Sequence, residues 1–326
     1  MEYEVKDQKA TREGFGEGLY QLGCENPNVV GLSADLANSV KMTKFMNNFP
    51  ERFFQCGVAE ANMMGVAAGL TIGGNIPFAG TFANFATGRV FDQVRQSIAY
   101  SGKNVKICAS HAGITLGEDG ASHQILEDIG LTRMLPNMVV INPCDFNQAK
   151  AATLAISEYY GPVYLRFGRP KVPVFLRENQ SFEIGKGIVL NEGTDVSIVA
   201  TGHLVWESIE AASELEKEGI SCEIINIHTI KPLDQEIILD SAAKTGLVVT
   251  AEEHQKNGGL GDAVAQLFAK NQPTLMEMVA VDDRFGESGK PNNLLHKYGL
   301  DSLAIQRTIK NALDRKNDHS LKVSRS

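Results

Sequence analysis

Short apolar runs alternate with longer amphipathic stretches along the whole chain. The runs Val29–Leu32, Val105–Ala109, Met138–Ile141, Val163–Phe167, Val196–Ala200, Glu223–Ile227, Leu247–Ala251 and Met276–Val281 read as strands. Between them Ala10–Cys24, Asn62–Leu70, Phe146–Ser157 and Leu204–Gly219 read as helices. Short buried strands alternating with helices predict an α/β fold of mostly parallel sheets with helices on both faces. The alternation breaks at Arg169–Gly187, where RPKVPVFLRENQSFEIGKG mixes proline and charge with weak periodicity. Such a stretch marks a linker. The pattern therefore predicts a larger domain over 1–172, a linker over 173–187, a smaller domain over 188–316 and a frayed polar tail over 317–326. No internal repeat or low-complexity tract interrupts it.

Composition narrows the class. With 326 residues, 43% of them hydrophobic, the chain can build two ordinary cores. A net charge of −8 argues against nucleic acid as the principal partner. Five cysteines, an odd number with no C-x-x-C pair, fit neither a zinc site nor a disulfide framework and suit a reducing cytosol. The start, MEYEVKDQKATREGF, lacks the apolar core of a signal peptide. No apolar run reaches the ~20 residues that a membrane helix needs. The expectation is a cytoplasmic protein with no membrane segment.

Three segments concentrate residues capable of chemistry. Residues 57–74, GVAEANMMGVAAGLTIGG, put Glu60 at the head of a helix rich in Gly and Ala. Small residues let backbones approach closely, so this carboxyl is expected in a crowded, poorly hydrated place that favours its protonated form. Taken alone, the segment is better read as a helix-start glutamate favoured by the dipole. Residues 80–89, GTFANFATGR, space Phe82 and Phe85 three apart, so they would share a helical face. Two rings can hold a flat heterocycle, although taken alone the pair is better read as an ordinary core pair. Residues 110–124, SHAGITLGEDGASHQ, follow the strand-like VKICA and gather His111, Glu118, Asp119 and His123 among glycines. A loop at the C-terminal end of a parallel strand is where such folds bind ligands. No H-E-x-x-H or comparable spacing indicates a metal there. Arg12, Ser33, Arg166 and Arg169 sit near element ends, where arginines suit bidentate phosphate binding but are commonly surface ion pairs. The glycines of NGGLGDA, residues 257–263, match no phosphate-loop pattern and read as a closely packed helix start.

Taken in order, the segments resemble transketolase. ATR, GLSADL, ERFFQCGVAEANM, TFANF, SHAGITLGEDGASHQ and YLRFGRP are followed by HTIKPLD, VVTAEEH, GGLGDAVA and DDRFGESGKPNNLLHKYGL. The resemblance implies a thiamine-diphosphate-binding pyrimidine domain, a smaller transketolase C-terminal domain, and a role for each matching residue. Glu60 would hydrogen-bond the aminopyrimidine N1′ and promote formation of the nucleophilic ylide. Phe85, with Phe82 beside it, would flank the aminopyrimidine, and Ser33 and Asp35 would also lie on the cofactor. His123 and Asp119 would contact the hydroxyls of the ketose donor. Arg12, Ser33, His111 and Arg169 would receive the sugar phosphate. His123 and His111 would handle protons and contact the oxyanion. Between TFANF and FDQVR this chain carries one residue more than the common full-length form, so Gly88 and Arg89 receive no role.

An absence shapes the expected assembly. The family holds Mg²⁺ and the diphosphate with G-D-G and an Asn about 25–30 residues later, a set of hard oxygen ligands. This chain has no G-D-G, so it supplies no metal ligands of its own in this reading. The resemblance is therefore to the C-terminal subunit of a split transketolase. A partner N-terminal subunit would carry the Mg²⁺ and diphosphate site, with self-association through the pyrimidine domain and a heterotetramer as the natural assembly. Two other readings remain open. One is the beta subunit of another thiamine enzyme, of 2-oxo acid dehydrogenase or deoxyxylulose-phosphate synthase type. The other is a non-catalytic assembly subunit.

Overall fold

Each predicted apolar run forms a strand, because parallel strands covered by helices on both faces are mostly apolar. The computed structural model describes residues 3, 5 and 7–323, with side chains as far as Asn317. Its strands are β1 (Asp7–Ala10), β2 (Val29–Ser33), β3 (Phe53–Gln55), β4 (Ile76–Phe82), β5 (Lys106–Ser110), β6 (Val139–Ile141) and β7 (Val163–Arg166). They continue as β8 (Lys171–Val174), β9 (Ile188–Asn191), β10 (Val196–Ala200), β11 (Cys222–Asn226), β12 (Thr229–Lys231), β13 (Leu247–Gln255) and β14 (Leu275–Val281). One sheet has the order β12-β6-β7-β5-β4-β2-β3 and a second has β14-β13-β10-β11-β9. Both are parallel except at one edge, where β12 and β9 run antiparallel to their neighbours. The chain is thus an α/β protein of two units, each a mostly parallel sheet flanked by helices. No helix among the described residues is long and apolar enough to cross a membrane.

Three features depart from the sequence pattern. Strand β8 begins in the expected first domain, runs into the expected linker and pairs antiparallel with β1. Strand β12 follows the linker in sequence yet completes the first sheet, with Thr229 opposite Ile141. A three-residue strand carries too little periodicity to be seen in advance. The polar tail expected to be frayed continues the helix Ser302–Val323, which is anchored by the buried Ile305, Ile309 and Ala312; residues 324–326 lie outside the described residues.

The first sheet is flanked by helices that pack closely enough to demand glycine. Helix Thr11–Glu25 lies against helix Phe146–Glu158, and a Cβ at Gly14 would sit 2.2 Å from the carbonyl oxygen of Phe146. The glycine run at 257–263 behaves as the sequence suggests. It opens helix Leu260–Lys270, and the buried Glu252 carboxylate accepts the Leu260 and Gly261 amides at 2.7 and 2.8 Å. Those amides are consumed, so the run presents no phosphate loop.

The two units share a buried polar cluster. Asp128 Oδ2 accepts from Arg166 Nε at 2.7 Å and from the Tyr164 hydroxyl at 2.6 Å. Arg166 Nη2 reaches across to the carbonyl of Glu253 on β13 at 2.8 Å. Burial pushes the Asp128 carboxyl up, but Arg166 and the Tyr164 hydroxyl outweigh burial and hold it below its ordinary value. Of the two readings left open for Arg166, phosphate ligand and surface ion pair, the structure has an ion pair, but a buried one, with the side chain only 3% exposed. Removing one partner of a buried ion pair strands the other charge. Arg166→Met is therefore expected to lower unfolding free energy by about 3–5 kcal/mol, with Asp128→Asn added to it restoring part of the loss. Urea denaturation checks both; a loss under about 1 kcal/mol in the single variant would show that the pair does not hold the units together.

Candidate active site

Strands β7, β5, β4 and β2 are adjacent and parallel, so their C-terminal ends share one edge. The register sets Phe82 opposite Ser110 and Ala109 opposite Arg166. The chain leaves this edge in the loops that carry nearly every predicted site residue. The glycine-rich loop does follow β5, as its sequence requires, and its backbone turns at once: His111 has a φ of 61°.

His111 is the centre of the site. Its ring stacks on Phe82 with centroids 3.9 Å apart. Ser110 Oγ lies 2.8 Å from Nδ1 and Arg12 Nη1 lies 3.4 Å from Nε2. A guanidinium can only donate, so Nε2 accepts, and the ring proton belongs on Nδ1, donating to Ser110. Burial first, then the charges of Arg12 and Arg169, lower its pKa to about 3. His111 is therefore a neutral hydrogen-bonding group near neutral pH.

Two arginines converge on it. Arg12 Nη1 donates to the Ser39 carbonyl at 2.8 Å, and Arg12 Nε is buried without a partner. Burial, and more weakly Arg169, lower the Arg12 pKa against an opposing effect of Glu13. Arg169 Nη1 donates to the Leu116 carbonyl at 2.6 Å and to Glu118 Oε2 at 2.9 Å. Two guanidinium groups and a neutral imidazole in one place, with one donor atom orphaned, make a site for an anion. Ser33 does not join them. It is wholly buried, and its hydroxyl accepts the Leu36 amide at 3.3 Å. Asp35 is exposed, with a φ of 62° and its amide on Gln55 Oε1 at 2.7 Å. The residue beside Arg12 is instead Ser39, through its backbone carbonyl, which sequence reasoning missed.

The aromatic seat differs from the expected shared helical face. Phe82 ends strand β4, and only Phe85 lies in the short helix Ala83–Ala86. Their rings lie 5.9 Å apart at 17°, the spacing of rings in direct contact. Because His111 covers Phe82, that ring backs the site and Phe85 presents the working face. Arg89 stands on that face, its guanidinium 3.9 Å from the ring centroid, and donates to Glu60 Oε1 at 3.0 Å. Glu60 begins helix Glu60–Leu70 and is 3% exposed, so the crowded carboxyl is present. Contacts thus run without a break from Arg12 through His111, Phe82, Phe85 and Arg89 to Glu60. His123 meets Phe85 edge-on at 5.5 Å and lies 3.0 Å from Ser122 Oγ through Nδ1. Asp119 stands exposed on the same loop.

The second unit clamps this loop. Glu253 Oε1 accepts the Thr115 amide at 2.5 Å. Gln124 Nε2 donates to the carbonyls of Ile114 and Glu287, each at 3.0 Å. Gly120, at a φ of 72°, has no room for a Cβ because Ser288 Oγ would be 2.4 Å away. Sequence reasoning gave Glu253, Glu287 and Ser288 no role; the acidic pair inside the buried run VVTAEEH was the visible sign.

An α/β protein of two units, with two arginines, a neutral imidazole and a buried carboxyl at the C-terminal edge of a parallel sheet, has the arrangement by which such folds bind ligands. Residues 7–174 match the transketolase pyrimidine-binding domain and residues 185–305 match the transketolase C-terminal domain. The chain belongs to the transketolase family. It is 42% identical over 316 residues to the 6-deoxy-6-sulfo-D-fructose transketolase subunit SqwH of Clostridium sp. (strain MSTE9), covering 97% of this chain and 98% of that one. It is 36% identical over 312 residues to the transketolase of Homo sapiens, covering 94% of this chain and 50% of that one. Among solved structures, a split gene transketolase described as an inactive beta4 tetramer matches with a TM-score of 0.88 at 49% identity, over 94% of this chain and 98% of that chain.

The His111 environment has a direct consequence. Its folded-state pKa lies below the unfolded one, so the unfolded chain takes up a proton near pH 6.5 that the folded chain refuses until about 3. His111 contributes nothing to the pH dependence of stability above that window and costs stability as pH falls through it. The ring signals of His111 in NMR spectra are expected to stay flat from pH 8 to about 5. A midpoint near 6.5 would show the ring to be solvated and charged, contrary to the geometry.

Proposed function

We propose that this chain is the C-terminal subunit of a two-chain transketolase. It transfers a two-carbon ketol unit from a ketose phosphate to an aldose phosphate once joined to an N-terminal subunit. The observation that supports this reading is the Arg12–His111–Arg169 group, with its orphaned Arg12 Nε, joined through Phe82, Phe85 and Arg89 to the buried Glu60. Enzymes of the family generally use thiamine diphosphate and a divalent metal. When bound, that cofactor supplies the carbon nucleophile for breaking and making a bond next to a carbonyl.

The residues present fit such a group. The Glu60 carboxyl is buried and in hydrogen-bonding reach of a partner, as a ring nitrogen would require. Phe85 offers a ring face that a planar cation group already occupies, so a flat aminopyrimidine suits it once Arg89 moves aside. Arg12 and Arg169 supply the donors for the anionic end of the sugar, and His111, between them, joins as a donor only when its ring proton moves from Nδ1 to Nε2. His123 and Asp119 lie on the loop that would face the donor hydroxyls. With its proton on Nδ1, neutral His111 offers Nε2 as an acceptor, so a sugar hydroxyl would donate to it without any charge being added. Among the described residues no group of three or more His, Cys, Asp and Glu is placed to hold a metal. With no G-D-G in the sequence, the Mg²⁺ and diphosphate ligands are assigned to the partner subunit.

Assembly follows from the same reading. SqwH is named a subunit and aligns with this chain nearly end to end, and the split gene structure is described as an inactive tetramer. We assign residues 1–172 to the pyrimidine-binding part and 188–316 to the C-terminal part, self-association to the former, and a heterotetramer to the active state. A cytoplasmic location fits the five unpaired cysteines. The SqwH relative favours one alternative donor, since a sulfonate is also an anion that two arginines can hold.

The test is co-expression with an N-terminal subunit, thiamine diphosphate and Mg²⁺, comparing xylulose 5-phosphate with 6-deoxy-6-sulfofructose as donor to ribose 5-phosphate. Ketol transfer only in the pair is expected; transfer by this chain alone, or 2-oxo acid decarboxylation without transfer, would sink the proposal. Glu60→Ala is expected to cost about 10²–10⁴-fold in kcat, and near-normal turnover would remove Glu60 from catalysis. Arg169→Ala is expected to raise KM for the anionic donor by roughly ten-fold or more with a smaller change in kcat. An unchanged KM would take Arg169 out of the anion site.

A further inference from the structure

A cleft of about 560 Å³ opens between the two units, away from the residues of the candidate active site. Its walls come from helix Asp128–Arg133 in the first unit and from β12 and helix Leu260–Lys270 in the second. Behind it the backbones of the two units come close at Gly130 and Gly258. Gly258, at a φ of 85°, would bring a Cβ to 3.1 Å from Gly130 Cα, so neither wall can close further by adding a side chain.

The cleft gathers positive charge on a chain whose net charge is −8. Arg133, Lys231 and Lys270 line it against a single carboxylate, Asp262, which is turned to the Gly258 amide at 2.5 Å. Three cations less one anion leave two uncompensated charges on the lining. Two of the cations are fixed in place by backbone carbonyls. Arg133 Nη1 donates to Gly258 at 2.6 Å and Gly259 at 3.2 Å, and Lys231 Nζ donates to Arg133 at 2.9 Å and Leu135 at 2.5 Å. These bonds orient the groups without neutralising them. A guanidinium has five donors and an ammonium three, so both keep donors for something else. Lys231 feels the lack of a counter-charge, since burial and then Arg133 lower its pKa. Apolar surface from Met134 and Leu267 completes the lining. Like charges pinned side by side in a concave site are costly unless an anion joins them, and the volume is that of a small-molecule site.

We propose that this inter-unit cleft binds a small anion bearing phosphate or carboxylate groups, held by Arg133, Lys231 and Lys270 and separate from the sugar site. Such a ligand would bridge the helix that begins at Asp128 to the second unit, and so would tighten the junction of the two.

Isothermal titration of the full-length chain tests this, in an Arg12→Gln/Arg169→Gln background that removes the two arginines of the candidate active site. Inorganic phosphate and citrate serve as probes at constant ionic strength, and their relative affinity distinguishes a phosphate-reading site from a carboxylate-reading one. Saturable binding of at least one probe is expected. Lys270→Glu, an exposed change away from any core contact, is expected to weaken it by roughly five-fold or more. Arg133→Gln is expected to abolish it. Circular dichroism verifies that Arg133→Gln folds; if it does not, Lys270→Glu decides alone. No saturable heat up to about 20 mM of either probe, or equal binding in the Lys270→Glu chain, would overturn the proposal.

Discussion

The structure turns on a carboxylate–guanidinium pair buried where the two units meet. Asp128 and Arg166 have left water, and each depends on the other for its charge. Such a pair is stable only if the remaining hydrogen-bonding capacity is filled. Tyr164 fills it from β7, and the Glu253 carbonyl fills it from β13. The second unit is therefore needed to satisfy a charge in the first. Its β13 must run on past its apolar core into Glu252, Glu253 and His254 to do so. Those same residues then cap helix Leu260–Lys270, hold the Thr115 amide and accept the Gly130 amide. One buried pair thereby ties the seating of the second unit to the shape of the loop that carries the site.

The site itself is arranged by exclusion of water. His111 remains neutral because it is buried between two cations and a ring, which makes it a directional hydrogen-bonding group. Arg12 has an inner donor atom with no acceptor, and Arg169 is held over the loop by Leu116 and Glu118. Arg89 has the most exposed position of the set, its side chain 48% accessible, and yet it covers both Phe85 and Glu60. A long, half-exposed side chain on a buried carboxyl and an aromatic face is well suited to give way to a ligand that offers both contacts at once.

Much of this was legible from residue order. The eight strands predicted from apolar runs were visible because a strand buried on both faces is mostly apolar. The loop 110–124 was recognisable because glycines and ionisable groups after a buried strand have little use inside a core. Arg166 shows the limit: it has the sequence signature of a ligand-binding arginine, and the fold instead closes a second unit over it. Ser33 is similar, since its hydroxyl serves its own turn while Ser39, six positions on, comes to lie beside Arg12.

By itself, the sequence determined the α/β class, the two-unit plan, the family and the group of side chains available at the sheet edge. The class and the plan follow from periodicity, which neighbouring residues fully express, and the family from the resemblance of the ordered motifs. Only the tertiary structure decided which of those side chains meet. Strand β12 crosses from the second unit to the first sheet, Arg89 settles on Glu60, and Glu253 reaches the Thr115 amide from 138 positions away. Contacts of that span depend on how buried charges and backbone groups across the whole molecule find partners, and no local pattern encodes them.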